Sequence, residues 1–97
     1  MSVATGPHLI LLYDYVPDIV QRRAPRREAH LARIAEWIGS GRMLMAGATG
    51  DPPTGALFVL PADDPGAAER FAEGDPYVEA GLVTARRVLP WTVVASA

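Results

Sequence analysis

The sequence predicts a single α+β domain in the order β-α-β-β-α-β, the ferredoxin-like arrangement of an antiparallel sheet with two helices on one face. Three observations predict this fold. Four short apolar runs are typical of strands, and segments with helix start signals lie between the first and second and between the third and fourth runs. A chain of 97 residues is also the length of one domain, so we expect residues 1–97 to fold together.

The four predicted strands are apolar segments bounded by proline, glycine or aspartate. They are Leu9 to Leu12 with an extension to Tyr15, Met43 to Gly47, Ala56 to Leu60, and Leu82 to Val94. The second and third flank the turn-rich segment GATGDPPTG, which indicates an antiparallel hairpin with a long loop. Pro90 interrupts the fourth and cannot donate a ladder hydrogen bond, which favours an edge strand or a bulge over a central position.

The helices are predicted from start and stop signals. The first extends from Pro25 to Ile38 and ends at Gly39-Ser40-Gly41. Asp64 and Asp75 each precede a proline, so each is predicted to cap a helix N-terminus, the first of a helix ending at Gly74 and the second of one further turn. Apolar spacing predicts which residues face the sheet, namely Leu31, Ile34, Ala35 and Ile38, followed by Ala67, Ala68, Phe71 and Ala72.

Both faces of the predicted sheet are apolar. The strand segments LILL, MLMA, ALFVL and WTVV are nearly continuous, whereas a sheet with one face in water alternates apolar and polar residues. The second face therefore needs a cover, and the simplest cover is an identical chain, so we expect a face-to-face homodimer. The alternative is a monomer in which the short apolar runs arise by chance.

Composition excludes several function classes. The absence of cysteine excludes disulfides and thiolate chemistry and fits a reducing compartment, so we expect a cytoplasmic protein. A formal net charge of −2 offers no attraction for nucleic acid. The first apolar run is cut short at Asp14, so neither a signal peptide nor a membrane span is predicted. Residues 1–7 are expected to form a disordered tail.

Common cofactor and nucleic-acid motifs are missing from the sequence. It contains neither GxxxxGK[ST] nor GxGxxG, and His8 and His30 do not form a metal-binding pair, so we predict no cofactor and no metal. The segment TGALFVLP partly follows an RNA-recognition strand, but Thr54, Ala56 and Pro61 replace its basic and aromatic residues. The remaining candidates for chemistry are single polar side chains.

His30 is the candidate for proton transfer. It borders the predicted apolar side of the first helix, and an imidazole titrates near ~6.5, so it can take and return a proton at neutral pH. Asp75 is the natural partner to orient the ring, and Arg27 could hold an anionic group of a substrate. Each residue has a structural alternative: a boundary histidine bonded to backbone, a helix-capping aspartate and a surface arginine.

Four segments of the chain, taken together, resemble the YCII family. They are RxxHL at Arg27 to Leu31, GRMLMAG at Gly41 to Gly47, FAxxDPYxxAGLV at Phe71 to Val83, and VxPW at Val88 to Trp91. The resemblance covers Leu9 to Val94 and implies a dimeric α/β barrel. It also implies an active-site His-Asp pair, which the motif matches place at His30 and Asp75, and it makes Tyr77 a substrate-binding candidate.

The resemblance also bears on chemistry. Relatives in this family include a dehydrochlorinase of a chlorinated hydroxyquinone, and the wider superfamily includes muconolactone isomerases and small monooxygenases. Many members read A-G-P after the second strand, where this chain has Ala48 in place of the proline, followed by a loop with Asp51-Pro52-Pro53 that is expected to line the pocket mouth.

These observations predict a homodimeric enzyme without a cofactor, in which His30 acts as general acid or base and Asp75 orients it. Arg27 and Tyr77 are predicted to bind a small oxygenated, aromatic or lactone-like substrate. Elimination, isomerisation or hydrolysis is the expected outcome, so the enzyme would be a lyase, isomerase or hydrolase. The alternative is a non-catalytic dimeric module that binds a small ligand, with His30 and Asp75 as structural partners.

Overall fold

The structure is a computed structural model and describes residues 3–97. The predicted β-α-β-β-α-β order is present, with a short additional helix after the first strand and the predicted further turn after the last long helix. The elements are β1 (Gly6–Tyr15), α1 (Ile19–Arg22), α2 (Arg27–Gly39), β2 (Met45–Thr49), β3 (Gly55–Pro61), α3 (Ala67–Glu73), α4 (Pro76–Glu79) and β4 (Val83–Val93).

The sheet has the strand order β2-β3-β1-β4, and every neighbouring pair is antiparallel. The predicted hairpin is confirmed, with β2 and β3 joined by residues 50–54. β4 is an edge strand, as Pro90 predicts, and this proline lies opposite Leu9 of β1. The helix-facing side chains of the central strands β1 and β3, among them Leu11, Tyr13 and Phe58, are therefore shielded from solvent.

The two faces of the sheet are both apolar, as the continuous strand segments predict. Since paired residues of antiparallel strands share a face, the register defines one row across the sheet under the helices: Ala46, Phe58, Leu11 and Val88. The neighbouring row lies on the opposite face: Met45, Val59, Ile10 and Leu89. No helix covers this second face, and its Leu89 and Trp91 are 39% and 41% exposed.

Helix α2 is rotated relative to the prediction. Its buried residues are His30 and Trp37, with Ile34 half-buried between them, whereas Leu31 is 46% exposed and Ile38 40%. The predicted inner stripe is therefore wrong for α2. The physical reason is the size of the Trp37 ring, which packs edge-on against Phe71 of α3 at 5.2 Å between centroids. The same rotation turns His30 into the core.

The inner side of α3 is confirmed, because the four residues predicted to face the sheet are all buried. Its predicted start is wrong. The helix begins at Ala67 after Gly66, and Asp64 lies in a preceding turn where its side chain accepts a hydrogen bond from the Gly66 backbone nitrogen at 3.2 Å. Likewise Pro25 lies in a turn before α2, which begins at Arg27.

The prediction of a disordered tail over residues 1–7 is wrong at its last two residues. Gly6 and Pro7 belong to β1, where they pair with Val93 and Thr92 of β4, because the ladder between these strands continues to the end of β4. The part of this prediction that concerns residues 1 and 2 lies outside the described residues. Within residues 3–97, no helix is long and apolar enough to cross a membrane.

Candidate active site

Asp75 is fully buried at the N-terminus of α4. Its extended backbone precedes Pro76, the first residue of the helix, and its Oδ1 atom accepts a hydrogen bond from the backbone nitrogen of Tyr77 at 3.1 Å. The predicted helix cap is therefore confirmed at this position. A cap uses only one acceptor site of a carboxylate, and two further sites accept from side chains in distant parts of the chain.

His30 is the first of these partners. Its Nδ1 atom lies 2.7 Å from Oδ1 of Asp75, a contact that joins α2 to α4, and the residue is 5% exposed. An ionised carboxylate only accepts hydrogen bonds, so Nδ1 donates and the lone pair of the neutral ring is on Nε2. Among residues 3–97 nothing bonds Nε2, yet no fully buried side-chain nitrogen or oxygen there lacks a partner. Nε2 therefore reaches the surface of the adjoining cavity.

Tyr13 is the second partner, and sequence reasoning assigned it no role beyond extending a strand. Tyr13 lies near the C-terminal end of β1, and its hydroxyl donates to Oδ2 of Asp75 at 2.7 Å. Burial and the neighbouring Asp75 raise the pKa of Tyr13 far above its ordinary value, so the phenol remains a donor. The alternation of β1 could have placed Tyr13 on the helix face, but not at this aspartate, which is 62 residues away along the chain.

Two aromatic rings fix the plane of the imidazole. The Tyr77 ring is stacked on His30 with 3.6 Å between centroids and 6° between planes, and Phe58 meets the imidazole edge-on at 6.5 Å. Burial raises the pKa of Tyr77, so its phenol is neutral at physiological pH. The His30 ring is thus held at its Nδ1 edge by Asp75 and on one face by Tyr77.

The cavity beside His30 has a volume of about 210 Å³. One side is apolar and includes Ile34 and Phe58, and the edge strand contributes residues 46–48. The loop with Asp51-Pro52-Pro53 is not part of this lining, because β2 continues to Thr49 and carries the loop past the cavity. Ala48, which replaces the family's proline, does line it.

The other side of the cavity is polar and cationic. Arg27 and Tyr77, the two predicted substrate-binding residues, both line it together with His30. Arg23 is an additional lining residue that sequence reasoning missed. The sequence shows Arg23 only as part of an arginine-rich connection, and it is the short helix α1, ending at Arg22, that brings this side chain to the cavity. All four predicted site residues therefore meet at one place.

A larger cleft of about 400 Å³ lies at the other end of α2, but five of its six charged side chains already have hydrogen-bond or ion-pair partners. Arg42 pairs with Glu36 at 3.5 Å, Arg70 pairs with Asp64, and Arg33 donates to the backbone oxygen of Phe71. The cavity at His30 differs because, among residues 3–97, no carboxylate pairs with its two guanidinium groups and no hydrogen bond engages the imidazole Nε2. Within residues 3–97 no three histidine, cysteine, aspartate or glutamate side chains come together as metal ligands.

Comparison with known proteins gives a family and several sequence relatives. The description of the matching family model is YCII-related domain, and the match covers residues 7–92. The chain is 34% identical over 86 residues to Protein YciI of Escherichia coli, which covers 79% of this chain and 88% of that protein. It is 29% identical over 96 residues to an uncharacterized protein of Haemophilus influenzae, covering 90% of this chain and 98% of that protein.

A solved structure supports the same assignment. The 5-chloro-2-hydroxyhydroquinone dehydrochlorinase of Burkholderia phenoliruptrix, in complex with 2,5-dihydroxybenzoquinone, superposes with a TM-score of 0.72 at 25% identity, over 88% of this chain and 93% of that one. Its fold is the dimeric α/β barrel, which confirms the predicted fold class. With most of its length matched by the family model, the chain belongs to the YCII-related domain family.

Proposed function

We propose that this protein is a small enzyme that needs no cofactor and performs acid/base chemistry on a single-ring oxygenated substrate. One observation carries the proposal: His30 Nδ1 lies 2.7 Å from the fully buried Asp75 while its Nε2 atom reaches a cavity. This arrangement gives one imidazole nitrogen a fixed proton and leaves the other a lone pair for a substrate.

The proposed reaction begins with proton transfer to Nε2 of His30. The proton comes from a carbon or hydroxyl of the substrate, and the electron pair of the broken bond moves into the ring system. Asp75 stabilises the imidazolium that results, because its carboxylate stays bonded to Nδ1. In an elimination the electron pair expels a leaving group, in an isomerisation the proton returns at another position, and in a hydrolysis His30 activates water.

Elimination is the outcome that we favour. The structural relative at TM-score 0.72 is named as a dehydrochlorinase, an enzyme that removes hydrogen chloride from its substrate. Its bound 2,5-dihydroxybenzoquinone is a single ring with several oxygens, which is the substrate class proposed for this chain. A ring of this kind fits beside the apolar wall at Phe58, with Arg27 holding an anionic oxygen and Tyr77 in contact with the substrate.

The test compares the two histidines of the chain on 5-chloro-2-hydroxyhydroquinone and a panel of single-ring hydroxylated compounds and lactones. We expect His30→Gln to lower kcat/KM by at least ~100-fold, since general acid/base groups contribute about that much or more. His8→Gln is the matched control, because His8 lies on the sheet face away from the cavity and bonds the Gly6 backbone oxygen. Activity retained in His30→Gln would exclude the proposed mechanism.

The second candidate function is a non-catalytic module that binds a small ligand. The observation that favours it is that both oxygens of Asp75 are engaged, since they accept from Tyr13, His30 and the Tyr77 backbone as a structural carboxylate would. Under this alternative the wild type binds members of the panel without converting them. Calorimetric binding with no product after prolonged incubation would therefore select the binding module over the enzyme.

We also propose that the protein is a homodimer joined through the uncovered sheet face. Its support is the apolar row through Ile10 and Leu89 and the exposed Trp91 beside it. We expect the wild type to be a dimer in sedimentation equilibrium and Leu89→Arg to be a monomer. The substitution would bury an unpaired charge between the two joined apolar faces, which costs free energy. Val20→Arg is the control, since Val20 is an equally exposed apolar residue on α1. A monomeric wild type would contradict the proposal.

A further inference from the structure

We infer that Arg23 and Arg27 together form an oxyanion-binding site, which selects single-ring ligands that carry an ionised oxygen at neutral pH. This inference rests on the proposed function only in placing the ligand beside His30. Both arginines line the same cavity, although they belong to different elements, Arg23 following α1 and Arg27 beginning α2.

The charge balance of the cavity is the first argument. Among the described residues, neither Arg23 nor Arg27 forms a salt bridge, whereas four other arginines pair with carboxylates: Arg22, Arg42, Arg70 and Arg86. No aspartate or glutamate lines the cavity. The buried carboxylate of Asp75 lies behind the imidazole and is already bonded to His30 and Tyr13. Two positive charges therefore face the cavity of a chain whose net charge is −2.

The neighbouring phenols are the second argument. Arg27 and Arg23 lie close enough to Tyr77 to lower its pKa, yet burial outweighs them and the pKa of Tyr77 is raised overall. The same two arginines partly oppose the raised pKa of Tyr15, whose largest cause is again burial. Both phenols are consequently neutral at pH 7 and do not compensate the guanidinium charges. No side chain that lines the cavity supplies an opposing negative charge, and an anionic ligand would supply it.

The size of the cavity is the third argument. A protein cavity of ~150 Å³ holds a benzene molecule, so about 210 Å³ accommodates one ring with small substituents. A guanidinium presents parallel N–H donors and binds two oxygens of a planar group. The ligand class is therefore a single ring bearing a carboxylate or an ionised hydroxyl, such as an ionised hydroxyquinone or a benzoate. In the proposed reaction the same charges stabilise the negative charge that develops on the ring.

The experiment measures binding rather than turnover. By calorimetry we compare 2,5-dihydroxybenzoquinone and benzoate, which are anions at neutral pH, with 1,4-benzoquinone and benzamide, their neutral counterparts. We expect the wild type to bind the anions at least ~10-fold more tightly, and Arg23→Gln and Arg27→Gln each to weaken anion binding by at least ~10-fold. Arg26→Gln is the matched control with the same charge loss, because Arg26 is exposed and does not line the cavity.

Three results would overturn the inference: equal affinity for anionic and neutral rings, an Arg23→Gln variant that binds as Arg26→Gln does, or no binding of either anion by the wild type. His30→Gln separates this inference from the proposed function. If His30→Gln keeps both turnover and anion binding, the proposed chemistry fails and the oxyanion site stands. If turnover requires His30 but Arg23→Gln leaves anion affinity unchanged, the chemistry stands and the oxyanion site fails.

Discussion

The dipeptide Asp-Pro occurs twice near the helices in the second half of the chain, and the two copies have different structural environments. Asp64-Pro65 lies in an exposed turn three residues before α3, with the Asp64 side chain 53% exposed and paired with Arg70. Asp75-Pro76 begins α4 directly, and the Asp75 side chain is fully buried with three partners. The same local signal thus yields a surface turn in one place and the centre of a site in the other.

The difference comes from what surrounds each aspartate. Asp64 meets only neighbours in sequence, namely the Gly66 backbone and the Arg70 side chain. Asp75 meets β1 through Tyr13 and α2 through His30, which are 62 and 45 residues away along the chain. Local propensity is equal at both positions, so the distinction is made by tertiary contacts that only the folded chain brings together.

The largest expected effect is on stability. We expect Asp75→Ala to lower the free energy of unfolding by about 3 kcal/mol or more, because it removes a helix cap and leaves buried donors without an acceptor. Asp64→Ala should cost under about 1 kcal/mol, as exposed ion pairs contribute little. Urea denaturation of both variants measures the difference, and equal losses would show that the buried contacts of Asp75 carry no net stability.

This comparison also shows which features of the fold can be predicted from the sequence. The four strands, the β4 edge and the burial of α3 follow from apolar runs, Pro90 and residue spacing, which are local properties. Helix α1 was not predicted, because its four residues contain one buried apolar side chain, Ile19, and so show no helical spacing of apolar residues. The inner side of α2 was mispredicted because apolar counting favoured Leu31 over His30, whose burial depends on a partner in another element.

The candidate site divides in the same way. His30 and Asp75 were predicted, and so was the proximity of Arg27, because these residue types are chemically conspicuous. Tyr13 and Arg23 were not. A tyrosine is common in strands, and an arginine in a polar connection is expected at the surface, so neither residue type indicates a role in a site. Their roles follow only from the contact of Tyr13 with Asp75 and from the path of α1, which brings Arg23 to the cavity.

A smaller loss of stability is expected when the hydrogen bond from Tyr13 of β1 to Asp75 is removed. Tyr13→Phe should lower the free energy of unfolding by about 2 kcal/mol, since it leaves the buried Oδ2 atom of Asp75 without its donor. Tyr15→Phe on the same strand is the control, because no side-chain hydrogen bond of its hydroxyl occurs within residues 3–97; we expect a loss of at most about 0.5 kcal/mol.

A spectroscopic measurement tells whether Tyr13 also positions the side chains of His30 and Asp75. Nitrogen chemical shifts of the His30 ring report which nitrogen carries the proton, and we expect the Nδ1-protonated form in the wild type and in Tyr15→Phe. In Tyr13→Phe the carboxylate is held through Oδ1 alone, so a second tautomer should appear. Identical spectra in all three proteins would restrict Tyr13 to a purely stabilising role.

The smallest expected effect at neutral pH is the contribution of tyrosine ionisation to stability, and this effect grows at alkaline pH. It comes from the three tyrosines, all of which lie at the end of the molecule that holds Asp75. Tyr13 bonds Asp75, and the Tyr15 ring meets Tyr13 and Tyr77 at 6.2 and 5.9 Å. Burial raises the pKa of each phenol above ~10, the ordinary value. The folded state therefore holds these protons more tightly than the unfolded chain does. This contribution to stability is complete below pH ~10 and is lost as the pH rises above it.

The sequence makes this alkaline loss unusually easy to assign. It contains no cysteine and no lysine, and arginine stays charged throughout, so tyrosines are the side chains that titrate between about pH 9 and about pH 11. We expect urea midpoints of the wild type and of Asp64→Ala to fall in parallel over this range, and those of Tyr15→Phe to fall less. A steeper fall of the urea midpoint in Asp64→Ala than in the wild type would mean that the surroundings of Asp64 also contribute to the alkaline loss of stability. The loss could then not be assigned to the tyrosines near Asp75.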